Sequence, residues 1–479
     1  MGKLIKKPLY IGGETVWKEP TLDVVYPYKR QKVGEVPLAT PEDIKRAIDL
    51  AVEGQREIAS LSAYERSKIL YRAYELLKER AEEFAKIITL EVGKTIREAR
   101  TEVIRAQQTL LLSAEEAKRI YGETIPYDAV PNGINKVGFY IRVPVGIVAA
   151  ITPFNFPLNL TMHKVAPALA AGNAVVVKPS ERTPLSAAML AEILYEAGIP
   201  KKALSVVYGY AEVGKALTTD ERVRVVSFTG SRKVGDIIAR QVGIKKLVLE
   251  LGSNSALIVD KDADLKKAAK KAVQGGFALA GQVCISVQRV FAHGEIFDQF
   301  VNLVVEEVKK LKVGDPMDET TDVGPMISPQ DVERIKTWIE EAVKDGAKVV
   351  YGGKPLSETV FEPTVMTHVP RRSRVCAEEA FAPIIFVNPY KTTEEALDWV
   401  NDSDYGLQIG VYTNNLKTAW EFIQKAQVGG VIINDIPTFR ADNMPYGGVK
   451  YSGIGREGPK FAILEDYTEI KAVAIDLTP

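Results

Sequence analysis

The period of the apolar positions changes several times along the chain, and each change marks a different kind of element. Residues 1–40 hold short extended runs, Leu9-Tyr10-Ile11-Gly12-Gly13 and Leu22-Asp23-Val24-Val25-Tyr26-Pro27, broken by Gly and Pro, and predict a small β meander. Pro41-Glu42-Asp43 then opens a helix. From there to about Ile120 the spacing is helical, with Ile69-Leu70, Ala73-Tyr74 and Leu76-Leu77 separated by charges, so several long amphipathic helices are predicted. Near Pro131-Asn132-Gly133 the pattern turns to alternation, Val137, Phe139 and Ile141 against Lys136, Tyr140 and Arg142. That is a strand exposed on one face, able to pair with another chain.

A run of βα units begins next. The predicted strands are Ile147 to Ile151, Ala174 to Val177, Leu204 to Val207, Val223 to Phe228 and Leu247 to Leu251, with helices from about Leu158 to Ala170 and Pro184 to Ala197. Strands apolar throughout and separated by helices of this length predict a parallel sheet covered on both faces, a doubly wound domain. After Gly252 the alternation starts afresh with Ala256 to Val259 and the helix from Ala263 to about Leu279. Helices near Phe297 to Leu311 and Pro329 to Asp345 and the segment Lys348 to Gly353 follow, so a second α/β domain extends to about Asp435. Glu465 to Pro479 alternates again and is expected to return to the strand near Val137.

Composition narrows the picture. Lys plus Arg equals Asp plus Glu at 62 each, which leaves no basic field for nucleic acid or an anionic membrane. No apolar run approaches the ~20 residues of a membrane helix, and the start, Met1-Gly2-Lys3-Leu4-Ile5-Lys6, lacks the apolar core of a signal peptide. Only two cysteines, Cys284 and Cys376, are present, too few for a disulfide framework, and the expected location is the cytoplasm. His163, His293 and His368 show no metal-ligand spacing, so no metal is expected.

The chemistry concentrates around Cys284. Gly275-Gly276 and Gly281 let the backbone turn tightly ahead of Cys284, the candidate nucleophile, although a free cysteine in apolar surroundings is usually inert filling. The apolar run Leu247-Val248-Leu249 delivers Glu250 at a strand end, where a carboxylate can activate water. Asn155, in Thr152-Pro153-Phe154-Asn155-Phe156-Pro157, also follows a strand and offers an amide donor to an oxyanion. Lys178-Pro179-Ser180-Glu181 could grip ribose hydroxyls. Gly230-Ser231-Arg232-Lys233-Val234-Gly235 follows a strand and opens a helix, so its amides could hold a pyrophosphate. A literal G-x-G-x-x-G at Gly453 to Gly458 lacks the preceding strand and reads as a tight loop.

Seven ordered motifs carry a resemblance. Thr152 to Pro157, Lys178 to Glu181, Phe228-Thr229-Gly230-Ser231, Glu250-Leu251-Gly252, Gly281 to Cys284, Glu378-Glu379-Ala380-Phe381-Ala382-Pro383 and Pro445-Tyr446-Gly447-Gly448 resemble the aldehyde dehydrogenase superfamily from about residue 8 to 475. The resemblance implies an α/β fold: a Rossmann-type cofactor domain (1–125 and 146–251), an α/β catalytic domain (252–440) and a β oligomerisation arm (126–145 and 460–479). It implies NAD(P)-dependent oxidation of an aldehyde to a carboxylic acid through a cysteine thiohemiacetal and thioester. By position Cys284 is similar to the nucleophile, Glu250 to the general base, and Asn155 with the Cys284 amide to the oxyanion hole. The implied cofactor surface comprises Thr152, Pro153, Phe154, Lys178, Ser180, Glu181, Gly214, Phe228, Thr229, Gly230, Ser231, Val234, Leu251, Gly252, Glu379 and Phe381. Glu181 favours NAD over NADP by repelling a 2′-phosphate. A homodimer or homotetramer is expected.

Asn155, Phe156, His163, Arg440 and Tyr446 fall at substrate positions. Polar residues at 163 and 440 suit a small hydroxylated or carboxylated aldehyde such as lactaldehyde, glyceraldehyde or succinic semialdehyde. Ser253-Asn254-Ser255 and Ala382 depart from the usual glycines. A CoA-acylating enzyme would not need Glu250, and a non-catalytic binding protein would tolerate loss of the nucleophile, base or oxyanion donor.

Overall fold

The computed structural model describes residues 4–478, so the sequence readings on residues 1–3 and on Pro479 lie outside the described residues. Four helices, Pro41–Ser60, Ala63–Glu79, Ala81–Val92 and Ile96–Glu116, fill the region of helical period. Three of them start at capping boxes: Thr40, Ser62 and Thr95 accept from the N–H three residues on, while Asp43, Glu65 and Glu98 reach back.

Eight strands form the first sheet, in the spatial order Gly453–Ile454, Lys246–Glu250, Val223–Thr229, Ile147–Ile151, Ala174–Lys178, Leu204–Val206, Leu9–Ile11, Glu14–Val16. The five central strands are parallel and the three outer ones antiparallel. Ile147–Ile151 and Ala174–Lys178 are buried at every position, as strands covered on both faces must be. The chain runs outward from Ile147–Ile151 and then resumes on its other side at Val223–Thr229. That reversal opens a crevice at the carboxyl ends of the strands, where ligands settle in such sheets.

One sequence expectation changes here. Residues 1–40 are not a single meander: Leu9–Ile11, buried throughout, completes the edge of the large sheet. Thr21–Tyr26 and Gln31–Pro37 pair separately, with Ile5–Lys6 beside them. Three consecutive buried apolar residues favour the large core over an exposed hairpin.

The second sheet has seven strands, in the order Lys348–Tyr351, Thr364–Thr367, Ile384–Tyr390, Arg289–His293, Ala256–Val259, Gln408–Tyr412, Gly430–Ile433, with only the first antiparallel. Thr468–Asp476 returns to pair antiparallel with Lys136–Pro144 along its whole length. Val137, Ile141, Ile470 and Ile475 on that ribbon stay exposed. Among the described residues no helix is long and apolar enough to cross a membrane.

Each large sheet has its own apolar core, and the Cys284 segment lies on the seam. Leu279, Val283, Ile285 and Tyr446 pack into the first core, whereas Ala280, Val287 and Ile436 belong to the second.

Candidate active site

Helix Leu265–Phe277 ends in a tight turn, Ala278–Gly281. Leu279, Ala280 and Gly281 all lie in the left-handed region, at φ 49, 51 and 72°. Gly281 has no alternative, because a Cβ there would sit 1.9 Å from the Ala382 carbonyl oxygen. The turn presents Cys284, half-buried, with Sγ 3.0 Å from the Tyr446 hydroxyl. Burial pushes the thiol up to about 12; the Tyr446 hydroxyl and the Arg440 charge pull against it.

Glu250 ends its strand 3% exposed, and neither carboxylate oxygen has a hydrogen-bond partner. Burial pushes its carboxyl well above the ordinary range, and the nearby Glu457 charge adds to this, while Arg440, Lys164 and Arg456 pull it down. Glu457 is the opposite case. Burial disfavours its charge, yet Lys164 at 3.0 Å and Arg440 at 2.9 Å hold its carboxyl down at about 2. Gly447 leaves room for the base, since a Cβ there would meet Glu250 Oε1 at 2.8 Å.

Asn155 is buried in the loop after Ile147–Ile151. Its Nδ2 donates to the Gln282 carbonyl at 2.9 Å and its Oδ1 accepts from the Phe156 N–H at 3.1 Å. These two bonds fix the amide and leave the second Nδ2 hydrogen for another acceptor.

Arg440 stacks on the Tyr446 ring, 3.7 Å from its centre, and is almost entirely buried. Nη2 serves Glu457, while Nε has no partner. A cavity of about 940 Å³ opens beside it, bounded by Phe156, Arg105, Arg440, Lys94, Glu98 and Leu279 among others. Lys94 bonds Glu102 at 2.6 Å in full burial, with its ammonium 3.6 Å from the centre of the Phe156 ring. Glu102 also accepts the Leu158 and Asn159 N–H groups, which caps helix Asn159–Ala170.

His163 corrects an expectation, because it stands behind the cavity wall and not on it. The ring is buried, with Nε2 3.1 Å from Asp442 and 3.3 Å from Thr109. Burial and then the Arg440 charge hold its imidazole below the ordinary value. A helix buried at every position draws the residue inward, and Asp442 supplies the partner such burial requires. Asp442 also binds Arg105 at 2.8 Å, which holds that guanidinium at the cavity.

The crevice of the first sheet gathers the other motif residues. Lys178 is buried at its strand end, and among the described residues its ammonium donates only to the Pro179 carbonyl, at 3.2 Å. Burial lowers its pKa, with Glu181 and Glu212 drawing it back up. The missing side chain of Gly214 faces the Lys178 stem, 3.7 Å from a Cβ built there. Ser180 accepts from the Arg182 N–H. On either side of the reversal, Thr152 N–H bonds the Lys178 carbonyl and Gly230 N–H the Glu250 carbonyl, tying neighbouring strand ends together. Gly230 lies against the Phe228 ring. Ser231 caps helix Arg232–Gln241, accepting from the exposed Val234, so the free N–H groups of the first turn border the crevice.

On the facing side, Glu379 Oε1 accepts from Ser253 N–H at 3.0 Å, and a Cβ on Gly252 would lie 2.5 Å from Oε2. Burial pushes the Glu379 carboxyl up to about 7. Phe381, at φ 47°, meets Phe154 edge to face at 5.9 Å. A buried ammonium without a carboxylate partner, an open helix N-terminus and a carboxylate seated on a glycine together fit the charges and hydroxyls of a dinucleotide.

The departures at 253–255 bind this region together. Ser253 and Ser255 hydroxyls are 3.0 Å apart, and Asn254 Nδ2 donates to the Cys376 and Ala377 carbonyls. Glu457, Lys164, Arg105 and Glu98 escaped sequence reading, and Gly447 stood in the Pro445 to Gly448 motif with no role given to it. Glu457 lies inside the glycine-rich loop dismissed as a nucleotide motif, where Gly453–Ile454 pairs with the Glu250 strand.

The aldehyde dehydrogenase family profile matches residues 16–473. The chain is 48% identical over 470 residues to the 3-sulfolactaldehyde dehydrogenase of Priestia megaterium, covering 98% of each chain. It is similar to the crystal structure of aldehyde dehydrogenase 21 from Physcomitrella patens in complex with the reaction product succinate, with TM-score 0.97, 40% identity and 99% of each chain covered. It is also similar to glyceraldehyde-3-phosphate dehydrogenase GapN from Methanocaldococcus jannaschii complexed with NADP, with TM-score 0.92, 41% identity and 96% and 100% of the two chains covered.

Proposed function

The chain belongs to the aldehyde dehydrogenase family and oxidises aldehydes with NAD(P), and from that premise we propose a short aldehyde with a hydroxyl or anionic far end as its substrate. The observation that carries this is the unpartnered Nε of buried Arg440, whose guanidinium stacks on the tyrosine that touches Cys284. A buried donor without an acceptor is costly, and a substrate oxygen or anion would satisfy it. The named relatives act on 3-sulfolactaldehyde or hold succinate, both short and anionic.

Cys284 gives up its proton to water and attacks the carbonyl carbon as the thiolate, and the developing oxyanion is received by the free Nδ2 hydrogen of Asn155 and the Cys284 N–H. Asn155 needs no reorientation, because Gln282 and Phe156 already hold it. When bound, the nicotinamide supplies the oxidant by accepting hydride from the thiohemiacetal carbon. Glu250 then takes a proton from the water that cleaves the Cys284 thioester. Its unpartnered oxygens are free for that water, and its raised pKa makes it a strong base once ionised.

Lys178 and Glu181 hold the adenosine ribose, with Glu181 favouring NAD, and Glu379 holds the nicotinamide ribose. Residues 1–125 with 146–251 form the cofactor domain and 252–440 the catalytic domain, while 126–145 with 460–479 join subunits into a homodimer or homotetramer. The exposed apolar positions of the Lys136–Pro144 and Thr468–Asp476 ribbon support the last assignment. Two free cysteines support a cytoplasmic location.

The test compares native enzyme with Arg440→Leu on succinic semialdehyde, lactaldehyde and acetaldehyde. Loss of a charge-assisted bond of about 1.5–3 kcal/mol lowers kcat/KM for the anionic substrate roughly 10- to 150-fold. Acetaldehyde, whose loss reports only the Arg440 charge withdrawn from Cys284 and Glu250, should fall at least about tenfold less than the anionic substrate. Equal losses on all three would reject the substrate assignment.

A further inference from the structure

We propose that Glu98 is a positioning residue for the nucleophile, acting through the left-handed turn that precedes Cys284. This rests on the reading of Cys284 as the nucleophile. Leu279 and Ala280 are non-glycine residues in a backbone region that L side chains rarely enter, and such geometry persists only where the surroundings hold it. Consecutive side chains there enter different cores, Leu279 the first and Ala280 the second. The turn therefore has to be fastened from both sides of the seam.

Four bonds do this. Gln282 donates Nε2 to the Leu279 carbonyl at 3.0 Å and accepts at Oε1 from the Ile327 N–H at 2.8 Å. Asn155 donates to the Gln282 carbonyl. Glu98, 181 residues away in sequence on helix Ile96–Glu116, accepts the Leu279 N–H at 2.8 Å through Oε1. Without it that N–H would have no partner within the turn. Glu98 Oε2 meanwhile bonds the Thr95 N–H and hydroxyl in the capping box. One carboxylate thus serves two tasks, with one oxygen on its own helix start and the other on the nucleophile turn. Both Glu98 and Leu279 border the cavity beside Arg440.

The two tasks separate by substitution. Glu98→Asp keeps a capping box, as Asp43 does at the same position of helix Pro41–Ser60, but withdraws the carboxylate from Leu279. Glu98→Gln keeps an acceptor within reach of it. Each variant is tested for kcat, for KM of NAD and aldehyde, and for the rate of Cys284 alkylation by iodoacetamide without cofactor. Glu98→Asp should lower kcat at least tenfold, change the alkylation rate at least fivefold and leave the KM for NAD within twofold. Glu98→Gln should stay within threefold of native in all of these. Native kcat and alkylation in Glu98→Asp would overturn the proposal, as would damage by Glu98→Gln equal to that by Glu98→Asp. Activity retained by Cys284→Ala would reject the nucleophile reading itself, with the alkylation rates still judging Glu98.

Discussion

Glu457→Gln removes one buried negative charge while keeping the shape of the side chain. In the native protein this carboxylate meets Lys164 at 3.0 Å and Arg440 at 2.9 Å, and its charge is the second contributor, after burial, to the raised pKa of Glu250. The substitution deletes that like charge and leaves two buried cations that already favour ionised Glu250. Changes of this kind near a buried carboxyl move its pKa by roughly one to three units. Glu250 acts on water only when ionised, so native deacylation should rise with pH through the raised pKa. In Glu457→Gln the same rise should come at least about one pH unit lower. Removing one partner of a buried pair also costs about 3–5 kcal/mol, which should appear as a lower urea midpoint. The assay follows acyl release from enzyme previously acylated by p-nitrophenyl acetate, a step that isolates Glu250 from the titration of the thiol. A folded Glu457→Gln protein whose deacylation profile superimposes on the native one would refute the electrostatic argument.

Other substitutions probe the remaining parts. Asn155→Ala should lower kcat by roughly 10²- to 10³-fold, as for other oxyanion donors, with the melting temperature little changed. Gly447→Ala places a Cβ 2.8 Å from Glu250 Oε1 and 2.5 Å from the Gly455 carbonyl oxygen, and should slow deacylation more than acylation in stopped-flow traces. Glu379 binds its proton more tightly in the folded chain, its pKa being raised from 4.5 to about 7, so its contribution to stability is full below 4.5 and is lost as pH rises through 7. Thermal melts of Glu379→Gln should accordingly lose less stability across that interval than native protein. Lys178→Met should raise the KM for NAD, measured in steady state, with kcat changed little.

The architecture was legible because its signals are local. Runs such as Ala174 to Val177, apolar at every position, fit strands covered on both faces, and the helical period from Pro41 to Ile120 predicts several helices, of which four are found. Leu9–Ile11 was harder, since its partner Leu204–Val206 lies nearly two hundred residues away and nothing near it in sequence announces the pairing. The same limit applies to the site. Cys284, Glu250 and Asn155 stand in recognisable motifs, as does Tyr446 beside the thiol, but Glu457 and Lys164, which act on the Glu250 carboxyl, had no role there. Glu457 looked like part of a loop, and its meaning comes from Lys164 and Arg440, which are close only after folding. Glu98 stood out in no sequence pattern; it caps its own helix start, and its second bond, to Leu279, crosses between the two cores. His163 lay on a helix whose every face is buried, so no periodicity could say which neighbour it meets.

The central claim is that Cys284 carries the acyl group and Glu250 releases it. The most direct measurement mixes Glu250→Gln enzyme with NAD and succinic semialdehyde, follows reduced cofactor by absorbance, and weighs the intact protein by mass spectrometry. The expected result is a burst of about one equivalent of reduced nicotinamide per active site, with an acyl adduct that peptide mapping assigns to Cys284 and that decays slowly. Sustained native turnover by Glu250→Gln, or an adduct on any other residue, would contradict the account.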